Sequence, residues 1–189
     1  MVERAVAAIR AGEPVILPTD TVYGLCAAPE HAAVLSLLKG RPGWMPVALL
    51  CADVPTLLEL VPEVSGQESL LPGPFTLVVP NPAGRFPALG GGETIGVRVP
   101  VLRGQVREIF EQVGALAATS ANRHGGPDPR RLDDVPAAIR EACGVVVDAG
   151  ELPGVPSTVI DLTGSEPSVL REGAVPAEEA LRRLRGAAE

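Results

Sequence analysis

Glycine and proline, 21 and 20 of the 189 residues, recur along the whole chain without gathering into one linker. Regular structure is therefore cut into short pieces, because proline ends a helix or strand and glycine weakens either. Between the breaks two hydrophobic periods alternate. Residues 2–11 put Val2, Ala5, Val6 and Ile9 on one helical face, with Gly12 as the stop. Val15 to Leu17 reads as a buried strand, followed by a hydroxyl-rich segment over 18–28. Helices are predicted over 30–39, 55–61, 103–113, 134–142 and 176–185. Strands are predicted over 47–51, 75–79, 95–99, 116–119, 145–147, 158–160 and 169–170, with loops over 81–93 and 122–133. Interleaved helices and strands at this length predict one α/β domain spanning 1–189, with a twisted sheet of parallel and antiparallel strands and flanking helices.

Composition narrows the class. Apolar residues are 46% and charged residues 21%, which excludes a disordered chain. No apolar run approaches the ~20 residues of a membrane span, and the start, MVERAVAAIRAG, lacks the pattern of a secretion signal. Cys26, Cys51 and Cys143 are far apart and odd in number, which suggests reduced thiols in a cytoplasmic protein. The net charge of −7 argues against unspecific nucleic-acid binding, which rests on phosphate neutralisation. Arginine outnumbers lysine fifteen to one, so Lys39 is the single ammonium side chain. There is no GxxxxGK[ST] loop, GxGxxG turn or GxSxG elbow. His31 and His124, the only histidines, are too few for a common zinc site, and both read as solvated or structural.

What remains is a series of polar stretches at strand and helix ends. Pro18 to Leu25 carries two hydroxyls, a carboxylate and a phenol directly after a buried strand. Ligands of open α/β sheets bind beyond strand C-termini; a hydrogen-bonded turn is the plainer reading. Lys39-Gly40-Arg41-Pro42 offers two cations for anionic oxygens, or a simple helix cap. Ala118 to Asn122 ends a strand in small residues and hydroxyls, which lets a ligand approach the backbone. Arg98 lies inside the apolar run Gly96 to Pro100, so it must face a cavity or be paired with an Asp or Glu. Pro156 to Asp161 and Leu170 to Gly173 complete the set.

Together PTDTVYGL, KGRP, PGPFTLVV, GVRVP, ATSAN, PSTVID and LREG, in that order over residues 18–173, resemble the YrdC-type domain of threonylcarbamoyl-AMP synthases. The resemblance implies a YrdC-like fold with a central cavity. Because the chain stops at 189, it also gives the expectation of the short form of that family. The implied reaction joins L-threonine, bicarbonate or carbon dioxide, and ATP, releasing pyrophosphate, with magnesium accompanying the triphosphate. A downstream complex then passes the threonylcarbamoyl group to adenosine 37 of tRNA. The family's KxR…SxN pattern falls on Lys39, Arg41, Ser120 and Asn122 as catalytic residues. The resemblance assigns ATP to Arg41, Thr94, Ser120, Asn122 and Arg171, threonine to Thr21, Arg98, Ala118 and Ser157, and no residue to a metal.

The chain departs from the family pattern where relatives usually place Asn or Lys after KGRP: here Trp44-Met45-Pro46 stands. Leu49-Leu50 occupies a strand that often carries histidine, Val101-Leu102-Arg103 replaces a common His-Pro pair, and Asp128 replaces a hydroxyl. Two alternatives follow: a carbamoyl-transfer enzyme of the same fold, or a double-stranded-RNA binder. The second would need a basic face spanning successive grooves, for which Arg130-Arg131 and Arg182, Arg183 and Arg185 are the available clusters.

Overall fold

The computed structural model describes residues 1–186. Its elements are α1 (Val2–Arg10), β1 (Val15–Pro18), β2 (Tyr23–Ala27), α2 (Ala33–Lys39), β3 (Ala48–Cys51), α3 (Val54–Leu60), β4 (Phe75–Pro80), β5 (Thr94–Arg98), α4 (Gly104–Val113), β6 (Ala115–Ser120), α5 (Ala137–Glu141), β7 (Val145–Val146), β8 (Thr158–Asp161), β9 (Ser168–Arg171) and α6 (Ala177–Gly186). The nine strands form one sheet in the order β7-β1-β2-β6-β3-β5-β4-β8-β9. β1–β7, β3–β5 and β4–β8 are parallel and the other five pairings antiparallel. This is the mixed α/β sheet with flanking helices that the sequence predicts.

Three local expectations change. The segment 18–28 contains β2, every residue of which is buried. A strand covered on both faces shows no alternation, and the hydroxyls of Thr19 and Thr21 belong only to the turn before it. The helix expected over 30–39 starts late: Pro29–His31 is a 3-10 turn, with His31 in that turn, and α2 follows. The helix expected over 134–142 is split into a 3-10 turn at Leu132–Asp134 and α5, because Pro136 interrupts the hydrogen-bond ladder. Where helices begin and end as expected, local chemistry is the reason. Asp53 caps α3 by accepting the Thr56 N–H at 2.8 Å, and Gly40 ends α2 at φ 67°.

The two faces of the sheet are unlike. Ile16, Leu25, Leu49, Leu77, Val97 and Ile160 point to one face and pack with Leu35 of α2, Leu57 of α3 and Ala180 of α6. On the other face Val15, Leu17, Cys26 and Leu116 meet Ile9 of α1 and Ile109 and Phe110 of α4. These two helices cover the β7 end of the sheet; from β6 onward the same face opens as the floor of a cavity.

Candidate active site

The cavity holds about 380 Å³ and takes side chains from β3, β4, β5, β6, β8 and β9 and from the turn between β1 and β2. It therefore lies over a sheet face, not beyond the strand ends as an open parallel sheet would place it. Register explains the choice of residues. Ala48 pairs with Ala118, Val78 with Gly96 and Thr76 with Val159, so small and hydroxyl side chains of neighbouring strands share one face. A Cβ added to Gly96 would come no nearer than 3.6 Å to Thr76 and 4.0 Å to Ala48. The floor is open because Ala48, Gly96 and Ala118 carry almost no side chain.

Three arginines border this space: Arg41, Arg98 and Arg171. Arg98, 6% exposed, faces the cavity and is also paired: its guanidinium bonds Asp20 and donates to Thr21 Oγ1 at 3.1 Å. Both answers to the cost of a cation in an apolar strand are thus used. Burial pulls the Arg98 pKa below the ordinary guanidinium range, Asp20 works against that, and Arg171 adds to it. Arg171 donates to the Ser157 carbonyl at 2.8 Å, and Ser157 Oγ lies 2.8 Å from Thr76 Oγ1. Arg41 Nε donates to Ser36 Oγ at 3.3 Å, and burial lowers its pKa. Thr94 lines the wall and donates to the Gly91 carbonyl at 3.3 Å.

Lys39 and Asn122 stand behind Ser120 and do not line the cavity. The Lys39 ammonium donates to the Ser120 carbonyl at 2.6 Å, to the Asn122 carbonyl at 3.0 Å and to Asn122 Oδ1. Ser120 Oγ donates to the same Oδ1 at 2.9 Å, while Asn122 Nδ2 donates to the Gly126 carbonyl at 2.7 Å. Burial, seconded by Arg41, lowers the Lys39 pKa to about 8, with Asp128 opposing. Lys39, Ser120 and Asn122 are thereby joined into one unit, with Ser120 as its cavity-facing member. Thr21, Ala118 and Ser157 line the cavity as well.

The divergent positions separate. Leu50 lines the cavity beside Arg98, its partner in strand register, whereas Leu49 points into the opposite core. Pro46 reaches the cavity and Met45 does not. Leu102 packs against the core formed with α1 and α4. Asp128 Oδ1 accepts weakly from Asn122 Nδ2 at 3.4 Å.

The family described as Sua5/YciO/YrdC, telomere recombination, matches residues 7–173. The chain belongs to this family. A threonylcarbamoyl-AMP synthase from Chromohalobacter salexigens is 36% identical, aligned over 86% of this chain and 92% of that protein. One from Pyrococcus abyssi is 37% identical over 90% of this chain but 53% of its own length, so the chain spans about half of it. The P. abyssi Sua5 structure complexed with L-threonine superimposes with a TM-score of 0.86 at 34% identity, covering 96% of this chain and 56% of that one.

Within the Sua5/YciO/YrdC fold four of the five clustered surface arginines are paired with carboxylates, and among the described residues Arg185 bonds only the Leu181 carbonyl. Arg130 and Arg131 both bond Glu151, and Arg182 and Arg183 both bond Glu179. Sequence reasoning missed Ala48 and Thr76 as cavity residues, and it placed Thr19, Gly96 and Leu170 in candidate stretches without giving them a site role. Thr76 sits in the quoted PGPFTLVV stretch, but alternation alone leaves open which face of β4 meets the cavity. All three cysteines are free thiols. Among the described residues no helix is long and apolar enough to cross a membrane, and no group of three or more His, Cys, Asp or Glu could hold a metal.

Proposed function

We propose that the chain is a threonylcarbamoyl-AMP synthase, which condenses L-threonine, bicarbonate or carbon dioxide, and ATP into threonylcarbamoyl-AMP and pyrophosphate. The product supplies the threonylcarbamoyl group for adenosine 37 of tRNA. One observation carries the reading: a cavity with a floor of Gly96, Ala48 and Ala118 is ringed by Arg41, Arg98 and Arg171, with the Lys39–Ser120–Asn122 unit at its wall. Such a cavity suits a reaction that brings together a carboxylate, a carbamate and a triphosphate.

The chemistry follows from those charges. The threonine amine adds to carbon dioxide and loses a proton, giving a carbamate. A carbamate oxygen then attacks the α-phosphorus while the bond to the β-phosphate oxygen breaks and pyrophosphate departs. Two anions must meet, so positioning and charge neutralisation supply most of the acceleration. Arg98 and Thr21 receive the threonine carboxylate and hydroxyl, with Ala118 and Ser157 completing the amino-acid side. Arg41 neutralises the α-phosphate and carbamate oxygens, with Lys39 acting on the same region through Ser120 and Asn122. Thr94 and Arg171 hold the nucleotide. The cavity rim offers cations and hydroxyls in place of a carboxylate cluster, so magnesium belongs to the substrate, MgATP. The acidic surface is no obstacle, because only the cavity meets the substrates.

The reading is tested by pyrophosphate release from MgATP and bicarbonate with and without L-threonine, in wild type and Lys39→Ala. Threonine-dependent release that the substitution abolishes is the expected result. Release independent of threonine would move the assignment to another acceptor. No release from folded protein would overturn it.

A further inference from the structure

Asp20 belongs to the turn between β1 and β2 and does not itself line the cavity, although Thr19, Thr21 and Val22 around it do. Its carboxylate bonds the buried Arg98 through Oδ1 and accepts the Val101 backbone N–H through Oδ2 at 3.1 Å. The bond to Arg98 spans 78 residues of sequence. The neighbouring hydroxyls have a defined order. Thr19 Oγ1 donates to the Val22 carbonyl at 2.8 Å, so Thr21 is the donor across the 3.0 Å Thr19–Thr21 contact. That leaves a Thr21 lone pair for the same Arg98 nitrogen, Nη2, that bonds Asp20. Both bonds use one nitrogen of the guanidinium fork, while Nε is buried with no partner among the described residues. A guanidinium has five N–H donors in a rigid plane, so fixing one nitrogen between two oxygens fixes the direction of the rest.

We propose that Asp20 is a positioning residue for the amino-acid substrate: it holds the Arg98 guanidinium from behind, so that the donors left free are aimed at the substrate carboxylate. The inference rests on the reading of Arg98 as the carboxylate clamp. Asp20 also opposes the effect of Arg171, the second cation whose charge acts on Arg98. Without Asp20 the guanidinium would be free to turn toward other acceptors and away from that repulsion. The hold is two-ended, because the Val101 N–H keeps the carboxylate itself from swinging. Among the described residues no hydrogen bond of this arrangement reaches Thr94, Arg171 or the Lys39 unit, and Arg171 is held separately by Ser157, so the loss of Asp20 falls on threonine first.

The test compares wild type, Asp20→Asn and Asp20→Glu in pyrophosphate release and in calorimetric titration with L-threonine and with MgATP. Asp20→Asn is expected to raise the threonine KM and Kd about ten-fold or more, the effect of weakening a charge-assisted hydrogen bond. The KM for ATP stays at the wild-type value. In an Arg98→Ala background the Asn substitution adds nothing further to the loss of threonine affinity, since Asp20 works through Arg98. An unchanged threonine KM overturns the assignment. So does a parallel loss of ATP affinity in folded Asp20→Asn, or full additivity with Arg98→Ala. If Asp20→Asn does not fold, Asp20→Glu decides: it keeps the charge on a longer arm. A raised threonine KM with normal ATP binding supports the assignment, and wild-type values for both overturn it. Wild type lacking threonine-dependent release overturns the functional reading itself, whereas release with an indifferent Asp20→Asn overturns only the role of Asp20.

Discussion

Titrating Lys39 should move stability and activity in opposite directions. The residue is 5% exposed, and burial brings its pKa from 10.5 to about 8. Below about pH 8 the ammonium is charged in both the folded and the unfolded chain, and the folded state bears the full cost of burying it. Between about 8 and 10.5 the unfolded chain still holds a proton that the folded chain has released. Stability from this residue therefore rises across that window and is complete above the unfolded pKa. A difference of 10.5 − 8, at about 1.4 kcal/mol per pH unit, is worth about 3 kcal/mol. Activity falls across the same midpoint. A neutral amine has two N–H groups for the Ser120 carbonyl, the Asn122 carbonyl and Asn122 Oδ1, so one tie of the unit is lost. The assay is urea unfolding followed by circular dichroism, with pyrophosphate release measured at each pH. Lys39→Met is the reference protein for stability. It is needed because Cys26, Cys51, Cys143 and Tyr23, all raised by burial to about 12, lose stabilising influence as the pH climbs and would mask the trend. Subtracting the Met variant removes them. A wild-type-minus-variant stability difference that stays flat from pH 8 upward, or wild-type activity that holds through pH 8, would refute the reasoning.

Gly96→Val is expected to fold with the wild-type Tm and lose both ATP and threonine binding in calorimetry, because a Cβ there has ordinary contacts and the added methyls enter the cavity. Thr158→Val leaves the Val175 carbonyl (2.6 Å) and the Gly173 and Val175 N–H groups (3.1 Å each) without their buried partner. It should cost about 1–3 kcal/mol in the urea midpoint analysis and, by loosening the turn after Arg171, raise the KM for ATP. Trp44 is the only tryptophan, 76% exposed, and lies between Arg41 and Pro46 of the cavity lining. Saturating MgATP should shift or quench its fluorescence; an unaltered spectrum counts against nucleotide binding at that rim.

Much of the site is legible in sequence because its residues are costly anywhere else. Arg98 declares itself as a cation inside an apolar strand, and the structure pays that cost with Asp20 while turning the group toward the cavity. Ser120 and Asn122 follow a strand end, and β2–β6 register sets Gly24 against Ser120, bringing two separately visible polar stretches together. Asp20 was visible only as one acid in a turn. Its partner is 78 residues away, and no local pattern links the two. The role of Lys39 was half legible: its rarity marks it, but only the fold shows its ammonium spent on the Ser120 and Asn122 backbone instead of open to the cavity. The strand β2 is not legible, because burial on both faces erases the alternation by which strands are read. The cavity itself is the least legible feature, because it is made by side chains that are absent. A glycine in a strand signals a bulge or a close approach and Ala118 stands in a strand end of small residues, but Ala48 inside an apolar strand signals nothing. Gly96, Ala48 and Ala118 make room for a substrate because β5, β3 and β6 are neighbours in a register that turns all three toward the same side. A change in strand order would leave each motif intact and close the site.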